Sequence, residues 1–96
     1  MQSFIVQLIG VFTLKDLPEE YNRVVEFKAT LEKRELKDTD QIAIIVIKDT
    51  TSYHALFLDY YDSMEEIDKE LEESLDGKIY NFTTRNIIEG HLNGRK

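Results

Sequence analysis

An α+β fold is predicted by three features of this 96-residue chain. Two stretches, "SFIVQLIGVF" and "QIAIIVIK", are apolar on both alternating faces, as interior strands are. A third, "SMEEIDKELEESL", carries apolar residues at helical spacing behind a capping pattern. Helix and strand signals alternate along the chain without a linker or repeat, so residues 1–96 read as a single domain.

The first strand covers Ser3–Phe12, with Phe4, Val6 and Leu8 on one face and Ile5, Gln7 and Ile9 on the other. It lacks the basic start and cleavage site of a signal peptide and is too short to span a bilayer. "KDLPEE" then turns into the next element, with Asp16 as expected N-cap, Glu19 three residues on and Pro18 in the first turn.

Two readings of the following segment compete. At helical spacing Leu17, Tyr21, Val24, Val25, Phe27 and Leu31 share a broad face, but Lys28 lies near its centre. At strand spacing Val25, Phe27, Ala29 and Leu31 alternate with Glu26, Lys28 and Thr30. The cap and the helix formers of "TLEKRELK" favour a helix over Asp16–Lys37; the β-branched residues favour a strand over Arg23–Leu31.

Two strands follow, Gln41–Lys48 and Ser52–Tyr60, around the turn "DTTS". In the next helix Asp62 or Ser63 is the cap, Glu65 or Glu66 its counterpart, Met64, Ile67, Leu71 and Leu75 the apolar stripe, and Gly77 the stop. "KIYNFT" reads as a short strand. A last helix in "TRNIIEGHLNG" has Thr83 or Thr84 as cap and Ile87, Ile88 and Leu92 as its apolar side. The helix reading of residues 16–37 gives the split βαβ, or ferredoxin-like, order β-α-β-β-α-β with an additional C-terminal helix. The strand reading gives a five-stranded sheet with two helices.

Two helices on one sheet face would leave the other uncovered, although the strands are apolar on both. That imbalance predicts a homodimer formed through the sheet.

The charge is uneven. The net charge is −7, while Met1–Lys37 is neutral, Asp59–Asp76 carries −8 and Gly77–Lys96 carries +3. Capping accounts for the first acids of the third stretch. Glu66, Glu70, Glu72, Glu73 and Asp76 are not required by local helix physics, since Glu66–Glu70 and Asp68–Glu72 are like-charged i,i+4 pairs and the last acids crowd the negative helix end. These five residues form the predicted interaction surface, aimed at a basic protein partner.

Other chemistries find less support. Absence of cysteine excludes disulfides, thiolate catalysis and cysteine-ligated metals. Asp59, Asp62, Glu65 and Glu66 are close in sequence but do not follow the EF-hand spacing, so no metal site, cofactor or catalytic residue is assigned. His54 and Asp59 are the pair to inspect for an enzyme with a pocket at the dimer interface. Tyr53 and Phe57 share a strand face and, with Lys78, Arg85, Arg95 and Lys96, define the alternative of a small nucleic-acid-binding or regulatory module. The acidic field opposes phosphate backbones and anionic membranes, so direct nucleic-acid binding is disfavoured. The expected protein is a non-enzymatic interaction or inhibitor domain of the cytoplasm or a host-cell interior, including an infected or plasmid-bearing cell.

Overall fold

Strand β1 (Val6–Thr13) leads through a 3-10 turn at Glu19–Tyr21 into helix α1 (Asn22–Glu32). Strands β2 (Gln41–Ile47) and β3 (Ser52–Phe57), a 3-10 turn at Leu58–Tyr60, and helices α2 (Met64–Ser74) and α3 (Phe82–Gly94) follow. The computed structural model describes residues 6–47, 52–74 and 82–94. The α+β class is as expected.

The described strands form one antiparallel sheet in the order β1-β2-β3. β1 is hydrogen-bonded directly to β2, whereas the split βαβ arrangement places another strand between the first two. Of the expected strand over residues 78–83, Lys78 to Asn81 lie outside the described residues, and Phe82 and Thr83 belong to α3. β3 ends at Phe57, short of Tyr60, because the chain turns at Leu58.

Within segment 16–37 residues Asn22–Glu32 are helical, which removes the strand reading of Arg23–Leu31. The helix is shorter than Asp16–Lys37 at both ends. Asp16 does not cap it; its carboxylate accepts the Thr13 hydroxyl at 3.2 Å, and Pro18 precedes the first turn. At the far end Lys33 takes a left-handed conformation (φ 56°, ψ 46°). Its N–H reaches the Thr30 carbonyl and the Arg34 N–H reaches Ala29, the paired bonds of a Schellman stop.

The uncovered sheet face does not exist, because the helices lie on both sides. Ile42, Ile44, Ala55 and Phe57 meet Tyr21 and Val25 of the α1 segment. Ala43, Ile45, Leu56 and Leu58 meet Met64, Ile67 and Leu71 of α2 and Ile88 and Leu92 of α3. β2 is therefore buried on both faces and is the interior strand its composition predicts. β1, read as interior, is an outer strand among the described ones. A register shift between Leu8 and Gly10 exchanges its faces, so Leu8 and Val11 pack on the α2–α3 side and Phe12 on the α1 side.

α2 follows its predicted pattern. The Ser63 hydroxyl accepts the Glu66 N–H at 3.4 Å, while the Glu66 carboxylate accepts the Asp62 N–H at 2.7 Å. Ile67 and Leu71 are fully buried, each stabilising by about 1.5–3 kcal/mol relative to exposure. Leu75, Asp76 and Gly77 lie outside the described residues.

α3 starts before its expected caps. Thr84 is an interior helix residue, buried, whose hydroxyl accepts the Leu8 N–H at 3.1 Å. It thereby closes part of the outer edge of β1. Thr84→Val should leave that N–H unsatisfied, lowering stability in urea unfolding by about 1–2 kcal/mol and speeding Leu8 amide exchange. An unchanged unfolding midpoint would show that water serves Leu8 equally well.

Candidate functional site

The outer edge of β3 holds the candidate site. Leu8 turns its N–H away from β2, so by antiparallel alternation its partner Ile45 turns both backbone groups toward β3. Ile45 therefore bonds His54, and the N–H and C=O of Ala55 point outward from the sheet. Side chains alternate across the same strand. Tyr53, Ala55 and Phe57 face α1, while His54, Leu56 and Leu58 face α2 and α3.

Lys28 crosses this edge. Its ammonium donates to the Ala55 carbonyl and lies 3.3 Å from a Glu70 oxygen of α2, 3.8 Å from Glu32 on its own helix and 3.5 Å from His54 Nε2. The side chain is only 12% exposed, and its nitrogen sits 5.9 Å from the centre of the Phe57 ring. The lysine at the centre of an apolar face thus has a role. Positions 21 and 25 pack inward, positions 27 and 31 point outward, and Lys28 lies between the two stripes where α1 passes the strand edge. Lys28 thereby covers part of this strand edge.

His54 is held neutral. Burial, then the positive charge of Lys28, lower its pKa to about 4 against the opposing pull of Glu70. Tyr61 is pushed the other way: burial and its hydrogen bond to the Glu70 carboxylate raise the phenol well above its ordinary value. Cation, neutral imidazole, carboxylates and phenol form one connected group.

A cleft of about 270 Å³ lies over this group, lined by Val24, Phe27, Lys28, Leu31, Glu32, Tyr53, His54, Ala55 and Glu70. Its outer wall is apolar and open: Phe27 is 69% exposed and Leu31 70%, one turn apart, with Tyr53 at 41%. Glu70 also lines a neighbouring groove of about 390 Å³ with Tyr60, Tyr61, Glu66, Lys69 and Glu73. One side of the molecule therefore runs from apolar to acidic along the β3 edge.

The predicted interaction residues separate on this surface. Glu66, Glu70 and Glu73 line the same groove, although Glu66 also serves the cap and Glu70 is tied to Lys28. Glu72 is exposed but does not line that groove, and Asp76 lies outside the described residues. Asp68, which pairs unfavourably with Glu72 in sequence, accepts two-pronged hydrogen bonds from Arg85 of α3, the shortest 2.9 Å. Tertiary contacts thus compensate part of the acidic excess.

The other candidates are not assembled. The Asp59 carboxylate accepts the Gln41 N–H at 2.9 Å and does not line the cleft that contains His54. His91 lines a separate hollow of about 380 Å³ with Gln41, Asn86, Ile87, Gly90 and Gly94. Phe57 is buried, and Tyr53 packs edge-on against Tyr21 with ring centres 5.2 Å apart, so the two do not form a joint stacking platform. Arg85 is engaged by Asp68 and Glu89; Lys78, Arg95 and Lys96 lie outside the described residues. Sequence reasoning missed Lys28, Glu32 and Tyr61. The signal for the first was its position at the middle of an otherwise apolar helix face.

The fold and the edge together define a small α+β domain with a charged, partly apolar cleft beside the outer strand β3. The chain belongs to the DUF749 family, a domain of unknown function whose pattern matches residues 4–92. An uncharacterized protein of Methanocaldococcus jannaschii, MJ0858, is 39% identical over 91 residues, covering 94% of this chain and 79% of the relative. A solved structure of MTH1880 from Methanobacterium thermoautotrophicum is 54% identical, covering 95% of this chain and 100% of that one, with a TM-score of 0.43. The family and its archaeal member MJ0858 argue against the viral setting entertained from the sequence. Among the described residues no helix is long and apolar enough to cross a membrane.

Proposed function

We propose that this chain is a protein-interaction domain whose contact surface is the α1–α2 side, with a basic protein as partner. The carrying observation is the exposure of Phe27 and Leu31 on successive turns of a well-formed helix, beside a groove lined by Glu66, Glu70 and Glu73. Exposed apolar side chains grouped beside a polar rim are the usual composition of a binding face. The acidic rim adds orientation and selects a partner of opposite charge. Residues left largely exposed among the described ones are thereby given a use, and the partner is expected inside the cell.

Capture from an extract of the source cell tests this reading, with the full-length chain compared with two double variants. Phe27→Ser with Leu31→Ser removes the apolar centre, and Glu66→Lys with Glu73→Lys inverts the rim. Each is expected to lower recovery of a basic partner about tenfold, in keeping with loss of central contacts or of complementary charge. Equal recovery by wild type and both variants would overturn the reading. Light scattering over a concentration series distinguishes a second copy as the occupant; a concentration-dependent dimer lost in the apolar variant would replace the basic partner with self-association.

A further inference from the structure

The geometry points to strand addition: the β3 edge accepts an extended segment of a basic partner, in which apolar and basic residues alternate. This rests on the interaction reading and specifies how the partner is held. Ala55 turns its N–H and C=O outward, and so, by alternation, do Tyr53 and Phe57. The cleft lies directly along that edge, between α1 and α2. A further strand seated there would project alternate side chains to opposite sides of the sheet. Those on the α1 side meet Val24, Phe27 and Leu31; those on the α2 side meet Glu70 and the groove that also holds Glu66 and Glu73. A period of two, apolar then basic, is the pattern complementary to both walls.

Lys28 occupies the position that the incoming strand needs. Its ammonium uses the Ala55 carbonyl, so an added strand must displace it. Glu32, four residues along the same helix and 3.8 Å away, remains a partner for the ammonium after it leaves the edge, so the contacts given up are those with Ala55 and Glu70. The lysine is a reversible cover for the edge. Charge decides against a second copy as the added strand, since antiparallel pairing of two β3 edges would bring two acidic α2 faces together on molecules of net charge −7 each.

The test uses the full chain, isotope-labelled, and three synthetic peptides. One has eight residues of alternating valine and lysine, one has the same composition at helical spacing, and one is the alternating peptide with its alternate amides N-methylated. Saturation with the alternating peptide is expected to slow hydrogen exchange at the Tyr53 and Ala55 amides about tenfold, as new ladder bonds protect them. N-methylation should weaken binding about tenfold, and Lys28→Met, which removes the competing donor, should tighten it roughly fivefold. Wild-type exchange data suffice if that variant does not fold. Tighter binding of the helically spaced peptide, with Tyr53 and Ala55 exchange unchanged, overturns strand addition but leaves the interaction reading in place. Binding by neither peptide also overturns strand addition, and the capture experiment then decides the interaction reading separately.

Discussion

Phe57→Ala is expected to lower the unfolding free energy by about 3–5 kcal/mol, the range for removing a buried aromatic ring from a core. Phe57 is 1% exposed and packs with Tyr21, Val25, Ile42, Ile44 and Ala55. In the α1 segment only Tyr21 and Val25 are buried, so the ring is a large part of what holds α1 to the sheet. It also lies beneath the Lys28 ammonium. A domain of this size is stable by only about 5–15 kcal/mol, so the loss is a large fraction of the total. Urea unfolding should show it as a lower midpoint with cooperative behaviour retained, and amide exchange in α1 should rise before that in α2. Phe57→Leu, which keeps most of the volume, should lose less than about 1.5 kcal/mol. An alanine variant within about 1 kcal/mol of wild type would mean that α1 is anchored elsewhere.

Stability should fall as pH drops from about 6.5 to about 4, and His54 is a principal cause. The folded-state pKa is about 4 and the unfolded one is the ordinary 6.5. Above 6.5 both states hold a neutral ring and the residue contributes no pH dependence. Between the two values the unfolded chain binds a proton that the folded chain refuses, so stability declines with acidification. Below about 4 both states are protonated and the decline from this group ends. The full shift is softened by the ring's partial solvent contact, which leaves about 2 kcal/mol across the window. The physical source is first the burial of the ring and then the Lys28 ammonium, 3.5 Å from Nε2, against which an imidazolium would be repelled. His54→Gln should flatten the profile in that window relative to wild type, and the imidazole resonances should titrate near 4. Identical slopes for the two proteins would remove His54 from this role.

The sequence was legible where one local rule acted without competition. In α2 the Ser63–Glu66 cap and the Met64, Ile67, Leu71 stripe follow from hydrogen-bond geometry and a helical period, and both appear in the fold. The apolar run of β2 likewise admits only burial on both faces. Segment 22–32 was ambiguous because its apolar residues serve two purposes: Val25 faces the core, while Phe27 and Leu31 face outward. Mixing core and surface apolar residues blurs any single period. β1 misled for a related reason, since a register shift near Ile9 gives this outer strand of the described sheet apolar residues on both sides. The candidate site was the least legible part. Lys28, His54 and Glu70 are separated by 26 and 16 residues along the chain and converge only because α1 and α2 flank the same strand edge from opposite faces.

By itself the sequence determined the α+β class, the acidic concentration at Asp59–Asp76, the cysteine-free chemistry and the burial of β2. Those depend on composition and short-range periodicity, which every copy of the chain carries before it folds. Tertiary structure decided that helices cover both sheet faces, that β1 and β3 are the outer strands among those described, and that Thr84 and Lys28 each cover part of one. It also decided which acids are compensated: Asp68 by Arg85 and Glu70 by Lys28, while Glu72 and Glu73 stay exposed. The physical reason is that a charge acts over a few ångströms of space, irrespective of separation along the chain, so its partner is chosen by packing.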